Sequence, residues 1–152
     1  MLYYLDASAW VKRYFDEIGS SFVRDLFAGR WDFCCSPLGL IEVGSTIARK
    51  RKTGEVTPQE FAMKRASLLN DWRRFLRVEM TPSVVKRALD VTSAHGLRGA
   101  DSLHLASALN VKEELGLVSK DFAVISSDQE LNAALVSRGL SVFDPTEQAD
   151  GA

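Results

Sequence analysis

Four acidic side chains, Asp6, Glu42, Asp101 and Asp128, occupy the positions of this 152-residue chain from which chemistry is most readily built. Asp6 directly follows an apolar run, "LYYL", that reads as a strand, and Asp128 lies just past a second such run, "FAVI". In an open parallel sheet, ligands bind in the crevice outside the carboxyl ends of the strands, so both acids are expected on one rim. Glu42 falls about one and a half turns into a helix expected to begin at Pro37. The residues three and four positions from it, Leu38, Gly39, Ser45 and Thr46, include no cation, so a helical ion pair does not account for it. Asp101 is the one carboxylate in "LRGADSLHLASALN". Burying it unpaired would cost several kcal/mol, and a place in the first turn of a helix offsets only part of that through the helix dipole.

Each acid also has a plain structural reading. Asp6 can cap a helix that starts at Ala7, Asp128 can be an acid of a first helical turn, Asp101 can pair with Arg98, and Glu42 can sit on an exposed face. Caps that arise independently have no reason to recur on one rim beside a helical Glu flanked by apolar residues, which favours a cluster. Clustered carboxylates repel and raise one another's pKa values unless a cation neutralises them. Hard divalent ions, Mg²⁺ or Mn²⁺, suit an all-carboxylate set, and Zn²⁺ suits it poorly without His or Cys. Such ions activate water and stabilise charge on a phosphoryl group, so metal-assisted phosphodiester hydrolysis is the reaction class these residues point to.

The elements that must carry the acids follow from patterning. Apolar runs at Leu2–Leu5, Phe33–Cys35, Phe75–Met80, Phe122–Ile125 and Leu140–Phe143 alternate with amphipathic stretches near 8–28, 37–52, 58–73, 83–95, 100–115 and 128–138. This is the signature of an α/β layered fold on a mostly parallel sheet of about five strands. Ser36-Pro37, Thr57-Pro58 and Thr81-Pro82 read as caps followed by a proline at the first helical position, and Ser127 to Glu130 has capping-box spacing. Gly54, Gly96, Gly116 and Gly139 fall where helices should stop. We expect one domain over 1–144 and a polar tail over 145–152.

Composition narrows the setting. Lys and Arg number 19 against 20 Asp and Glu, a net charge of −1, so any nucleic acid would have to be held by a local basic patch. Cys34 and Cys35 are adjacent and cannot easily join, and the N-terminus has neither the basic start of a signal peptide nor a membrane span, so cytoplasm is the expected compartment.

Four segments, "YYLDASAWVKRY", "LIEVGSTIAR", "RGADSLHLASA" and "VISSDQELNAA", resemble in order and spacing the PIN-domain ribonucleases, in particular the VapC toxins of bacterial type II toxin–antitoxin systems. The likeness runs from about Leu2 to Phe143. It implies a three-layer α/β/α sandwich, a Mg²⁺ or Mn²⁺ site built from Asp6, Glu42, Asp101 and Asp128, and supporting roles for Ser8 and for Ser126, where the family often has Thr. It further implies an RNA substrate and a cognate antitoxin, and it accommodates a homodimer. Asp121, ahead of its strand, should lie at the opposite end of the sheet. His104 reads as a packed structural residue. Arg98 reads as a partner of Asp101, a contact to substrate phosphate, or both. Arg49 and Arg51, in "ARKRK", read as solvated residues complementing a helix C-terminus or as contacts to an RNA backbone. Trp10, Tyr14 and Phe15 fall at helical spacing and read as core or partner-groove packing.

Two other classes compete. An Asp-nucleophile phosphatase wants a second Asp two residues after the first, where Ser8 stands, and a receiver-like domain wants an Asp after its middle strand, where "TPSV" stands. A non-catalytic PIN scaffold that binds RNA or a protein would be marked by lost acids, and all four are present.

Overall fold

The structure is a computed structural model and describes residues 1–148; residues 149–152 of the expected tail lie outside that range. Five strands, β1 (Leu2–Leu5), β2 (Asp32–Cys35), β3 (Leu76–Arg77), β4 (Phe122–Ile125) and β5 (Val142–Phe143), form one parallel sheet in the order β3-β2-β1-β4-β5. Helices α1 (Ala7–Trp10), α2 (Ser20–Ala28), α3 (Pro37–Lys52) and α4 (Pro58–Arg74) precede or join the strands on the left of β1, and α5 (Pro82–His95), α6 (Gly99–Glu114) and α7 (Gln129–Ser137) carry the chain back to its right. Because parallel crossovers are right-handed, that reversal puts the two groups of helices on opposite faces and makes three layers. It also makes the gap between β1 and β4 the topological switch point, where an open α/β sheet binds its ligand.

The central strands match the expected runs because they are buried on both faces and therefore continuously apolar. The edge strands are shorter than expected. After Arg77 one further bond, from the Val78 amide to the Cys35 carbonyl, ends the β3 pairing, and Thr81 then caps α5 by accepting from the Val84 amide. Phe75, expected in β3, instead closes α4 and stacks on Trp10 at 4.6 Å.

The amphipathic stretch near 8–28 forms two separate helical segments. α1 runs on through a 3-10 turn, Val11–Arg13, and stops; the Ser20 hydroxyl donates to the Phe15 carbonyl, and Gly19 adopts φ 88° before α2 begins. A Cβ at Gly19 would also strike the Pro145 backbone. That contact explains a second difference, since Pro145–Gln148, expected as the start of a polar tail, forms a helical turn, α8, with Pro145 buried. Asp144 anchors the turn by accepting from the Thr146 amide and hydroxyl.

At the caps, Thr57 and Glu60 form a full capping box on α4, whereas Ser36 occupies the N-cap of α3 without using its side chain. The expected box at Ser127 is displaced by one residue. Asp128 is the N-cap of α7, accepting from the Leu131 amide, because its backbone is still extended where the helix begins. Trp10 and Tyr14 are core residues; Cys34 and Cys35 are buried free thiols whose burial pushes their pKa values up. Among the described residues no helix is long and apolar enough to cross a membrane.

Candidate active site

The carboxyl ends of β1 and β4 are tied together at the rim by the Asp6 amide donating to the Ile125 carbonyl. Asp6, 4% exposed, caps α1 and is fixed from three sides: its Oδ2 accepts from the Ser8 amide at 3.2 Å, the Ser8 hydroxyl at 2.5 Å and the Ser126 hydroxyl at 3.2 Å. Ser8 in turn accepts from the Ser127 amide, and Ser126 from the Asp128 amide. The two serines therefore lock the β1 and β4 rim loops to each other and hold one oxygen of Asp6.

Asp101, 6% exposed, sits in the first turn of α6, and Asp128 is half-buried. The exposed guanidinium of Arg98 bridges them, with Nε 3.0 Å from Asp101 Oδ2 and Nη2 3.1 Å from Asp128 Oδ2. Burial raises the Asp101 pKa, as do the charges of Asp128 and Asp6; Arg98 opposes the rise. Glu42, half-buried on α3, meets His104 of α6, whose Nε2 is 2.5 Å from Glu42 Oε1 and 3.4 Å from Asp6 Oδ1. On the far side of the imidazole, Nδ1 is 2.8 Å from the hydroxyl of Tyr4, a fully buried residue of β1. Burial alone would lower the His104 pKa; the hydrogen bond to Glu42 and the charges of Asp6, Glu42 and Asp101 outweigh it and raise it.

All four acids expected at one rim are thus part of one connected polar group, in two pairs each bridged by a nitrogen base. Among the described residues no three carboxylate, thiol or imidazole groups stand close enough together, as placed, to enclose one ion. The donor set nonetheless fits a hard divalent cation. It is all oxygen at the rim, burial and the neighbouring carboxylates raise the Asp101 pKa, and a cationic guanidinium already lies between two of the acids. The N-termini of α1, α6 and α7 converge here and lower the cost of gathering the negative charge.

Asp121 lies at the opposite edge, where its carbonyl accepts from the Leu2 amide. Arg49 and Arg51 are in the last turn of α3, away from the acids. Arg49 donates to Ser45 and Thr46 of its own helix, and Arg51 stacks over Phe61 at 4.7 Å. The structure brings neither to the rim. Tyr4 is the site residue that the sequence reading missed, and His104 proves to be an arm of the site as well as a packed residue. Both had a signal in their spacing: Tyr4 and Asp6 share a strand face at i, i+2, and Asp101 and His104 share a helix face at i, i+3.

Two expected results arise here. Gly39 lets α3 lie against Cys35 and His104, since a Cβ there would overlap the Cys35 sulfur and come within 3.4 Å of the His104 ring. Gly39→Ala should cost about 1–3 kcal/mol as an overpacked core does, visible in thermal unfolding. Arg98 competes with any cation for Asp101 and Asp128, so Arg98→Gln should bind Mn²⁺ several-fold more tightly in calorimetric titration; weaker binding would show that the guanidinium preorganises the acids rather than competes for them.

The fold and rim have their counterparts among known proteins. A family model for the PIN domain matches residues 3–136, and the chain belongs to that family. Within it, the chain groups with the VapC ribonucleases: it is 39% identical over 121 residues to Ribonuclease VapC45 of Mycobacterium tuberculosis (strain CDC 1551 / Oshkosh), covering 77% of this chain and 81% of that protein. In fold it is similar to PAE2754 from Pyrobaculum aerophilum, with a TM-score of 0.63, 19% identity, and 97% and 91% of the two chains covered. It is similar also to a chain of VapBC2 from Rickettsia felis bound to a DNA fragment from their promoter, with a TM-score of 0.61, 12% identity, and 95% and 98% covered.

Proposed function

We propose that this protein is a Mg²⁺- or Mn²⁺-dependent endoribonuclease that hydrolyses RNA phosphodiester bonds, and that it is the toxin of a toxin–antitoxin pair acting in the cytoplasm. The observation that carries the reading is the convergence of Asp6, Glu42, Asp101 and Asp128 at the switch point of the sheet, in a chain that belongs to the PIN family. Asp6 and Asp101 would hold the ion, with Glu42 and Asp128 completing its shell directly or through water. When bound, the ion supplies a polarised water and neutralises charge developing on the phosphate. The chain's own residues do the rest. Ser8 and Ser126 keep one oxygen of Asp6 engaged and leave the other toward His104, and Arg98, an exposed cation of the site, is placed to meet a substrate phosphate once it leaves Asp101.

An antitoxin partner is supported by the VapC relative and by the R. felis fold neighbour, whose name is that of a two-component VapBC assembly. A homodimer belongs to the same proposal. The phosphotransfer reading loses further ground, because Ser8 donates to Asp6 where a phosphatase would carry its second acid, and after β3 it is Thr81, capping α5, that stands where a receiver would want an Asp. The test is cleavage of a mixed RNA pool by purified protein. Cleavage should require added Mg²⁺ or Mn²⁺, stop with a chelator and return on re-addition of metal; cleavage indifferent to chelation would sink the metal assignment.

A further inference from the structure

Glu42 is the least supported acid of the rim. Asp6 is fixed by two serines, Asp101 by Arg98 and the first turn of its helix, and Asp128 by its cap bond to Leu131. Glu42 has a longer side chain, no cation three or four positions away on its own helix, and, among the described residues, one hydrogen-bond partner for its carboxylate, His104. Glu is among the side chains that lose most rotamer freedom when ordered, so a half-buried Glu that must hold a ligand needs something to hold it.

From this geometry we propose that His104, oriented by Tyr4, is a positioning residue that sets the Glu42 carboxylate, alongside Asp6, for divalent-cation binding. The inference rests on the metal-site reading above and extends it inward from the four acids. His104 is 1% exposed, so it does not reach substrate. Its ring is clamped edge-on by Tyr4, with centroids 5.8 Å apart and planes at 76°, and α3 approaches it at Gly39, which carries no side chain.

The direction of the hydrogen bonds follows from what each group can do. Carboxylates only accept, so Nε2 carries the proton and donates to Glu42; in the neutral ring Nδ1 then accepts, and the Tyr4 hydroxyl donates to it. Two further buried hydroxyls, Ser36 and Ser107, lie beside the phenol and have no hydrogen-bond partner elsewhere among the described residues, so they are available to donate into its oxygen. With the ring neutral, the chain runs one way, from the sheet through Tyr4 and His104 to Glu42. A phenylalanine at position 4 would fill the same core volume but would leave Nδ1 without its hydroxyl partner. Outer residues that orient ligands in this manner are worth about 10–100-fold in metal affinity.

The test measures Mn²⁺ affinity by calorimetry for the full chain and for Glu42→Gln, His104→Leu, His104→Gln, Tyr4→Phe and the double variant Tyr4→Phe/His104→Gln, with thermal unfolding as a check that each is folded. His104→Leu should weaken Mn²⁺ binding about 10–100-fold. His104→Gln should recover most of that, because its amide can donate to Glu42 where Nε2 did. Tyr4→Phe should weaken binding when His104 is present and have no effect in the Gln background, since there the hydroxyl has nothing left to orient; a purely structural role for Tyr4 would give equal effects in both backgrounds. The proposal is overturned if His104→Leu binds Mn²⁺ like the parent while Glu42→Gln does not, which would leave the metal-site reading intact. It is equally overturned if Gln is no better than Leu at position 104. If Glu42→Gln and Asp101→Asn both bind Mn²⁺ normally, the site reading itself fails, and the positioning role with it.

Discussion

Replacing Asp101 with Asn should abolish RNA cleavage while leaving the protein as stable as before or more so. The two halves have one cause. Asp101 is buried in the first turn of α6, where desolvation and the charges of Asp128 and Asp6 oppose its ionisation. Asn keeps the shape and removes the charge, so the repulsion with Asp128 and Asp6 disappears. What is lost in exchange is the pair with Arg98, whose guanidinium is 76% exposed, and exposed pairs are worth about 1 kcal/mol or less. Each net kcal/mol gained should raise the melting temperature by roughly 2–4 °C in a chain of this length. Activity should fall by more than the roughly 100-fold at the upper end for a supporting residue, because a direct ligand is being removed. Melting by calorimetry and cleavage of one labelled RNA, on the same preparation, check both halves. An inactive variant that melts well below the parent would mean that Asp101 serves the fold; an active, folded one would remove it from the ion's shell.

That Asp101 stands out as a candidate in the sequence follows from composition, since "LRGADSLHLASALN" holds no other acid. The recurrence of caps on one rim was weaker ground than it appears. In a parallel sheet every strand that leads into a helix delivers a helix N-terminus to the same edge, and Asp6 and Asp128 are both true N-caps in the structure. They belong to a site because of what else touches them. A second oxygen of Asp128 meets Arg98, and the free oxygen of Asp6 faces His104. Glu42 made the sounder argument. A helical Glu with no cation in reach on its own helix required a partner from another element, and His104 is that partner.

The central strands were legible because residues buried on both faces leave an unbroken apolar run. β3 and β5 were not, since only two residues of each pair with a neighbour and the flanking apolar residues, such as Phe75 and Leu140, pack into the core from outside the ladder. The break after Arg13 could not be seen from periodicity, because Tyr14 and Phe15 continue the apolar pattern through a turn set by Ser20 and Gly19. Tyr4 was hidden for the opposite reason. A Tyr in a buried strand looks like any aromatic of the core, and its hydroxyl acquires meaning only when α6, distant in sequence, brings His104 against it.

Asp71 provides the contrasting case of a buried acid with no part in the chemistry, and the largest loss of stability is expected there. It lies on α4 with 3% of its side chain exposed and accepts from Arg13 through both oxygens, Nε at 2.5 Å and Nη2 at 3.0 Å, and from the Tyr14 hydroxyl at 2.6 Å. Burial and the Asp71 carboxylate push the Tyr14 phenol well above its ordinary pKa, so it remains a donor, while Trp10 Nε1 donates to it from behind. Arg13, its other face against Phe27 at 4.1 Å, is sheltered enough that the pair is not screened away. Removing one partner of such a pair leaves the other charge uncompensated and costs about 3–5 kcal/mol. Asp71→Ala should therefore lower the melting temperature by roughly 6–20 °C. Below that lowered transition, RNA cleavage should be unchanged. Joining it to Arg13→Met removes the stranded charge, and the double variant should melt well above Asp71→Ala alone, since replacing a buried ion pair by apolar groups is often neutral. A double variant no more stable than the single would show that Asp71 acts through Tyr14, with the hydroxyl rather than the guanidinium as the partner whose loss is felt.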